Sequence, residues 1–592
     1  MTALPMAGLP TLLLQLWRHL SRRRQREFGL LMGLMLISTF ADVLSLGSVL
    51  PFIGILTVPD KVFTDPIAAP IIRIWGISSA DQLVWPLTVA FVMAVMVAAG
   101  MRMLLLWLST RLAFATGADL STEVYRRTLY QPYRVHVARN SSEVISGILD
   151  KVNGVVFGVL LPLLTLMSST FLLVVVMIAL LAIDPVVASM AFVGFGATYG
   201  LITWITRRRL QRNSRRIASE QTQVIKALQE GLGGIRDVLL DGTQPAYCKI
   251  YGRADHPLRR AQGNNIFIGG SPRYVMEALG MALIAVLACG VSRQVGGIAA
   301  ALPVLGALAF GAQRLLPALQ MSYNAWTIVA GNQASLADAM QLLDQPLPEE
   351  ALKPAPAPLP FQSTIRFQAV SFRYGPEEPW VLDGISLSIL KGSRVGFIGK
   401  TGSGKSTLLD LLMGLLNPTA GEILVDGQPV SGNRLRAWQC TIAHVPQSIF
   451  LADTTLAENI AFGVPREDID PDRVRQAARQ AQIAEFIESR PEGYDAFVGE
   501  RGIRLSGGQR QRIGIARALY KQASVLVFDE ATSALDTATE QSVMDAIEGL
   551  SRDLTILIVA HRLSTVGCCD RLYRLEQGRV MAEGSPSAIH AN

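Results

Sequence analysis

The segment "FIGKTGSGKSTLLDLL" (Phe397–Leu412) holds residues whose types and spacing suit chemistry on phosphate. Gly399, Gly402 and Gly404 permit a tight turn whose backbone N–H groups converge on an anion. Lys400, Thr401, Ser403 and Thr407 complete the loop and the start of the helix that follows it. Lys405 is spaced to reach the β- and γ-phosphates of ATP, and the Ser406 hydroxyl to ligate Mg²⁺. Further along, "SVLVFDE" (Ser524–Glu530) ends in two carboxylates. Asp529 fits a Mg²⁺ partner of the phosphate loop, and Glu530 fits a base or water-positioning group beside the γ-phosphate. A phosphate cradle alone serves kinases, motors, switches and pumps, so the rest of the chain must decide among them.

These residues need elements to hold them. "SRVGFIG" (Ser393–Gly399) reads as a short apolar strand and "KSTLLDLLMGLL" (Lys405–Leu416) as an amphipathic helix, whose N-terminal dipole adds to the cradle. Before this mixed α/β region lies "QPLPEEALKPAPAPLP" (Gln345–Pro360), whose prolines sustain neither a helix nor a central strand. The expected organisation is a transmembrane domain over 1–340, a Pro-rich linker over 341–361 and a nucleotide-binding domain over 362–592.

Composition supports a membrane. Of 592 residues, 50% are hydrophobic and only 17% charged, against about 25% charged in ordinary soluble proteins. Six apolar stretches approach or exceed the roughly 20 residues that cross a bilayer: Phe28–Leu56, Leu83–Leu112, Val155–Ala182, Pro185–Thr206, Ile266–Val291 and Gly297–Val329. Arginine and lysine set their orientation. "RHLSRRRQR" (Arg18–Arg26), the segment holding Arg126, Arg127, Arg134, Arg139 and Lys151, and the segment opened by "TRRRLQRNSRR" (Thr206–Arg216) fall on one side. The other side holds only Lys61, Arg73 and Arg293. Both termini, both long polar segments and the second domain are therefore expected in the cytoplasm. The long segments read as helical extensions of the spans, and Asp65–Gly76 as a short interfacial helix or a plain loop. The net charge of +7 is distributed as membrane topology requires, and no nucleic-acid partner is expected. Five cysteines without metal spacing are expected to be reduced and non-catalytic. The start "MTALPMAGLP" lacks the pattern of a cleaved signal peptide.

Charges inside spans are costly and often functional. Asp42, Arg102, Arg273, Glu277 and Arg314 stand out. Arg273 and Glu277, four apart, could pair on one helix face, and Arg102 and Arg273 could snorkel to an interface. Three spans with one arginine each also suit a cavity for an anionic headgroup, because guanidinium binds phosphate through several donors.

"LSGGQRQRIGIARAL" (Leu505–Leu519), just before the Asp-Glu strand, resembles the signature of ATP-binding-cassette (ABC) ATPases, and the resemblance covers about Ile365–Ser585. "VSFRYG" resembles the strand whose aromatic, here Tyr374, stacks on adenine; "HVPQSIFL" the segment whose glutamine, Gln447, reaches Mg²⁺; and "SALD" and "VAHRLST" the loops carrying Asp536 and the γ-phosphate-contacting His561. The resemblance implies that ATP is sandwiched between the phosphate loop of one ATPase domain and Ser506, Gly507, Gly508, Gln509 and Asp536 of another. With one copy of each motif in the chain, it implies a homodimer. Six spans, long intracellular extensions and membrane-then-ATPase order resemble exporter-type half-transporters. The coupling segments would be "LYQPYRVHVARN" (Leu129–Asn140) and "DVLLDGTQPAY" (Asp237–Tyr247).

A narrower resemblance lies in "ADVLSLGSVLPFIGILT", "SPRYVMEALG" and "GAQRLLPALQMSYN", which are similar to the bacterial flippases of lipid-linked oligosaccharides used in protein N-glycosylation. It implies a polyprenyl-pyrophosphate cargo met by Arg102, Arg273 and Arg314, moved from the cytoplasmic to the outer leaflet of the bacterial inner membrane. The alternative is an ABC exporter of drugs, peptides or another lipid, with a processing peptide exporter weakened because no peptidase domain precedes the first span. A soluble cassette ATPase of DNA repair or translation conflicts with six apolar spans. A non-transporting membrane regulator conflicts with intact Glu530 and His561.

Overall fold

Hydrophobic side chains on long helices must be covered by other helices or by lipid, and the first half of the chain presents both kinds of surface. The computed structural model describes residues 8–48, 52, 84–183, 185–292, 315–348, 353–530, 537–560 and 563–590. They fall into two units, Met1–Gln131 with Ala138–Leu347, and Pro132–Val137 with Pro348–Asn592.

The first unit is helical. α1 (Leu9–His19) leads into α2 (Arg22–Gly47) and α3 (Val84–Leu129); the short α4 (Tyr133–Ala138), which belongs to the second unit up to Val137, precedes α5 in the chain. α5 begins at Ser141 and ends at Ile183, with π-helical stretches Gly147–Lys151 and Val156–Leu160. α6 (Pro185–Gly233), the short helix Ile235–Leu240, α7 (Gln244–Gly270), α8 (Pro272–Ser292), α9 (residues 315–331) and α10 (Gln333–Leu343) follow among the described residues. Three helices, over Arg22–Ser45, Val84–Leu129 and Ser141–Ile178, are long and apolar enough to cross a membrane among the described residues. α6, α8 and α9 fall on the fourth, fifth and sixth expected spans. The expected segment Asp65–Gly76 and the start of the sixth span lie outside the described residues.

Helix length explains the extensions. The 46 residues of α3 and 49 of α6 rise about 70 Å each at 1.5 Å per residue, more than twice the hydrocarbon thickness. On α6 the distance from Pro185 to Trp204 is about 30 Å, and the basic run opens at Arg207. Trp204 and Trp85, each 77% exposed, bracket the apolar belt as interfacial anchors do. Leu30, Phe40, Met103 and Ile266 are exposed within it.

Two features of the spans have local causes. The helix of the third span, α5, extends back from Val155 to Ser141, as the expected helical extension requires, and Asn140 caps it by accepting from Ser142 N. The fifth is interrupted at Ser271: Pro272 has no N–H to donate, and it follows two glycines. Ser271 keeps helical φ/ψ and its N–H reaches Phe267 O at 2.8 Å, so the chain passes directly from α7 into α8.

The second unit contains two sheets. An antiparallel sheet has the order β2-β1-β4-β5, built from β1 (Thr364–Phe372), β2 (Leu382–Leu390), β4 (Ala420–Val425) and β5 (Gln428–Pro429). The six-stranded sheet has the order β10-β9-β3-β8-β7-β6, from β3 (Arg394–Ile398), β6 (Ile442–Val445), β7 (Val525–Asp529), β8 (Thr555–Val559), β9 (Arg571–Glu576) and β10 (Arg579–Gly584). Its strands β6, β7, β8, β3 and β9 run parallel. β3 and β8 are buried along their whole length, as a sheet covered on both faces demands. Within this unit Arg134 donates from Nη2 to the carbonyl of Tyr374. The Tyr133 phenol is raised by burial, then by Asp410 and Tyr374. One of the two expected coupling segments thus contributes Pro132–Val137 to this unit.

The helix after the phosphate loop, α11 (Lys405–Leu412), ends against side-chain donors. Trp438, fully buried, donates from Nε1 to Leu412 O at 2.7 Å, and Gln439 Nε2 reaches Gly414 O at 3.1 Å. These satisfy carbonyls that a helix end leaves without intrahelical partners. Trp438→Phe is expected to destabilise the ATPase unit by about 1–3 kcal/mol, because a buried acceptor loses its donor; a lower thermal midpoint checks this. Asp426 accepts from the backbone N–H groups of Gln362, Ser363 and Thr364, which holds the start of β1 to the β4–β5 turn. Burial raises its carboxyl, but the three donors outweigh that and the net value is lowered. Its stabilising contribution is present above the unfolded value near pH ~4 and is lost as pH falls through the lower folded value. The stability difference between wild type and Asp426→Asn should therefore shrink on acidification, as urea unfolding at pH 7 and pH 3 (order-of-magnitude settings for that window) would register.

Candidate functional site

The strand order brings the phosphate-handling residues to one edge. Val559 of β8 is in register with Phe397 of β3 on one side and Asp529 of β7 on the other. The phosphate loop and the Asp-Glu pair thus leave parallel strands at the same level, two strand spacings or about 10 Å apart. Gln447 follows the C-terminal end of β6 on the same edge. In open parallel sheets, ligands sit outside this edge.

The loop backbone requires its glycines. Gly399 has φ 152° and a Cβ there would lie 2.2 Å from the carbonyl oxygen of Leu575; Gly404, at φ 97°, would meet Leu382 Cδ2 at 2.6 Å. Lys405 is 5% exposed and donates from Nζ to Gly399 O at 2.9 Å and Lys400 O at 3.0 Å. Burial pushes its ammonium below the usual lysine value, against the pull of Glu530 and then Asp529. Ser403 is buried and its Oγ has no hydrogen-bond partner among the described residues. A buried hydroxyl in a loop of converging N–H groups fits a phosphate oxygen. Tyr374 places its hydroxyl 3.4 Å from Thr407 Oγ1, beside the loop.

Glu530 has φ 49°, a conformation costly for a residue with a Cβ. Its N–H is tied to Val559 O at 3.0 Å, so the chain turns sharply off β7 and sends the carboxylate back over the edge. Gln447 Nε2 donates to Glu530 Oε2 at 2.9 Å. An amide oriented in this way presents Oε1, and with the Ser406 hydroxyl and the Asp529 carboxylate it makes an all-oxygen set of the kind Mg²⁺ prefers. The residues present fit both groups.

Ser506 caps α12 (Gly507–Tyr520), accepting from Gln509 N at 3.3 Å, while Gln509 Oε1 accepts from Ser506 N at 2.9 Å. This reciprocal capping box leaves Gly507 and Gly508 in the first turn, and no described hydrogen bond joins it to the phosphate loop of the same chain. His561 and Asp536 lie outside the described residues.

Two groups at the site escaped sequence reasoning. Arg517, on α12, donates to Phe450 O at 3.0 Å and Asn459 O at 2.9 Å and lies over the Phe462 ring, so it ties the signature helix to the loop carrying Gln447. Burial lowers its guanidinium to about 10. Asp410, on α11, is pushed up to about 6 by burial and then by the Asp529 charge. The motif gives Arg517 only as one letter of a pattern, and nothing local in the sequence marks Asp410.

In the membrane unit, the structure pairs the arginines. Arg102 Nε lies 3.3 Å from Asp42 Oδ1, joining α3 to α2, and Arg273 Nε lies 2.7 Å from Glu277 Oε1 on one face of α8. They line separate cavities, Arg102 one of ≈ 650 Å³ and Arg273 one of ≈ 720 Å³, with Met321 in the wall of both. Arg314 lies outside the described residues. The Asp42–Arg102 pair was not legible because the two residues are on different spans.

A phosphate-loop ATPase fold joined to a bundle of bilayer-length helices defines an ATP-driven membrane transport machine. Residues 382–533 match the ABC transporter family, and residues 34–297 the ABC transporter transmembrane region. The chain is 34% identical over 480 residues to the ATP-dependent lipid A-core flippase of Chromohalobacter salexigens, 80% of this chain and 81% of that protein. With the protein of the same name from Chromobacterium violaceum the identity is 42% over 257 residues, 43% of each chain. A solved structure of a bacterial Atm1-family ABC exporter with ATP bound superposes with TM-score 0.75 at 25% identity, covering 93% of this chain and 95% of that one. The chain belongs to the ABC transporter family, as an exporter-type half-transporter whose ATPase domain drives transport.

Glu530→Gln is expected to keep ATP binding and to lower hydrolysis by at least about 100-fold, the scale of a lost general base. Phosphate release measured beside nucleotide binding checks this, and wild-type turnover would remove Glu530 from that role.

Proposed function

We propose that two copies of this chain hydrolyse Mg·ATP to flip an amphipathic anionic lipid from the cytoplasmic to the outer leaflet of the bacterial inner membrane. The finer reading is a polyprenyl-pyrophosphate-linked oligosaccharide. Lys405 and the loop N–H groups hold the phosphates, Ser406, Asp529 and Gln447 hold Mg²⁺, Tyr374 stacks on adenine, and Glu530 with His561 attends the γ-phosphate. Mg²⁺, when bound, offsets charge building on the phosphates. Ser506, Gly507, Gly508, Gln509 and Asp536 of the second copy close over the nucleotide, so ATP favours the closed dimer and hydrolysis releases it. Both termini and the ATPase domain face the cytoplasm, as the basic segments require.

The observation that carries this reading is a guanidinium inside a hydroxyl-lined intramembrane cavity. Arg102 shares its cavity with its partner Asp42, with Ser38 and Ser168, and with Thr39, Ser109 and Thr165, whose hydroxyls donate to carbonyls of their own helices. The guanidinium and the Ser38 and Ser168 hydroxyls together suit phosphate oxygens. Relatives named lipid A-core flippase support a lipid cargo.

The test is reconstitution in liposomes with a fluorescent polyprenyl-pyrophosphate sugar. Because Arg102→Gln alone strands Asp42, the fair comparison is the double variant Asp42→Asn/Arg102→Gln, beside Arg273→Gln/Glu277→Gln. Flipping should fall by about tenfold, the scale of one lost charge-assisted contact, and ATP hydrolysis by much less. Equal loss of both, or of neither, argues that the pairs are structural. Stimulation by drugs or peptides in place of lipids favours a different cargo.

A further inference from the structure

The cavity of ≈ 720 Å³ lies where α6, α7, the Ser271 break and α9 meet. Six lining side chains are carboxamides: Gln221, Gln262, Asn265, Gln320, Asn324 and Asn332. Arg273 is the one charged residue among its described lining residues, and none of them is a carboxylate. It sits at the basic end of the spans, beside the run that opens at Arg207.

Such a lining is costly to assemble for packing alone, since polar side chains near a bilayer need partners. Some have them: Asn213 Nδ2 donates to Asn265 Oδ1 at 2.8 Å, and Asn332 Nδ2 to Ile328 O at 2.8 Å. No hydrogen bond among the described residues uses the side chain of Gln221, Gln320 or Asn324. Tyr199, on the wall, is 9% exposed, and its hydroxyl has no partner among the described residues. Tyr323 lies beside it, with ring centroids 5.3 Å apart, and Trp326 follows at 5.9 Å from Tyr323. The approach of α9 to α7 is tight where it can be: a Cβ on Gly269 would lie 2.6 Å from Asn324 Oδ1 and 2.9 Å from Thr327 Oγ1. The space beside this contact is therefore lined by groups with hydrogen-bonding capacity left over.

We propose that this cavity recognises the uncharged, hydroxyl- and acylamino-bearing part of a sugar headgroup, with Arg273 at its edge meeting the adjoining phosphate. A carboxamide offers two donors and an acceptor in one plane, which matches neighbouring hydroxyls of a pyranose. A peptide also uses amides, but it brings an amino terminus or cationic side chains, and the carboxylate beside this lining, Glu277, is already held by Arg273 at 2.7 Å; a cationic drug meets the same obstacle. The proposal rests on the anionic-lipid reading above and adds the sugar as the part this site selects.

The experiment measures binding of two probes to the full-length protein in nanodiscs: a polyprenyl pyrophosphate bearing N-acetylglucosamine disaccharide, and the same polyprenyl pyrophosphate without sugar. Wild type should bind the sugar-bearing lipid about tenfold tighter, the scale of one or two net hydrogen bonds. Asn324→Leu and Gln221→Leu should each erase most of that preference, while retained affinity for the sugar-free lipid reports that the variants are folded. Equal affinity of wild type for the two lipids overturns this site and leaves the anionic-lipid reading standing. A preference that survives in both variants overturns the assignment to this cavity. Binding of neither lipid, or tighter binding of a hydrophobic peptide, overturns both readings together.

Discussion

An unpaired charge or backbone amide is costly away from water, and that constraint shapes both halves of this chain. In the membrane half it leaves helix as the regular choice for these apolar segments and turns Arg102 and Arg273 each into half of an ion pair. In the ATPase half it is inverted. The loop after β3 collects N–H groups, a buried lysine and a buried hydroxyl without neutralising them all, which is the electrostatic form of a site awaiting phosphate. The glycines at 399 and 404 and the left-handed turn at Glu530 are backbone costs accepted at this edge of the sheet.

Most of the ATPase half is legible from sequence because its chemistry is local. The phosphate loop, the Asp-Glu strand end and the capped signature helix each need only neighbours a few residues away, and those appear as contiguous letters. The spans are legible for the same reason, since hydropathy is a property of one segment. What stays hidden depends on elements distant in the chain. Asp42 and Arg102 lie sixty residues apart and meet only because α2 and α3 pack together. Arg517 reaches across to Phe450, and Trp438 to Leu412. The i, i+4 pair Arg273–Glu277 sits between these cases: its spacing is readable, but whether the two side chains meet is decided by rotamers.

Within the ATPase unit the hydrogen bonds form a path with two anchored ends. Arg517 holds the loop after β6 to the signature helix, and in the same loop Gln447 holds Glu530. A displacement of that loop therefore changes the group beside the γ-phosphate position and the helix that a second copy would present. The Gln447 amide donates to Glu530 Oε2, and a cation drawing Gln447 toward Asp529 and Ser406 would alter that bond. The same side chain then reports metal loading to the proposed base, without any large movement of the sheet.

Pairing also bears on how the proposed cargo is released. A carrier that binds too tightly stalls, and an unpaired guanidinium in a low-dielectric cavity would hold a pyrophosphate strongly. Where a carboxylate already occupies the guanidinium, an arriving phosphate gains only the difference between two anionic partners, and its departure is assisted by the carboxylate's return. Asp42 is suited to this because it is on a different helix from Arg102, so a shift of α2 against α3 changes the distance between them. Glu277 shares a helix with Arg273 and would keep its hold through any rigid-body motion of α8. On the proposed reading, the first pair varies with conformation and the second does not, which puts the conformation-dependent part of cargo affinity at Arg102.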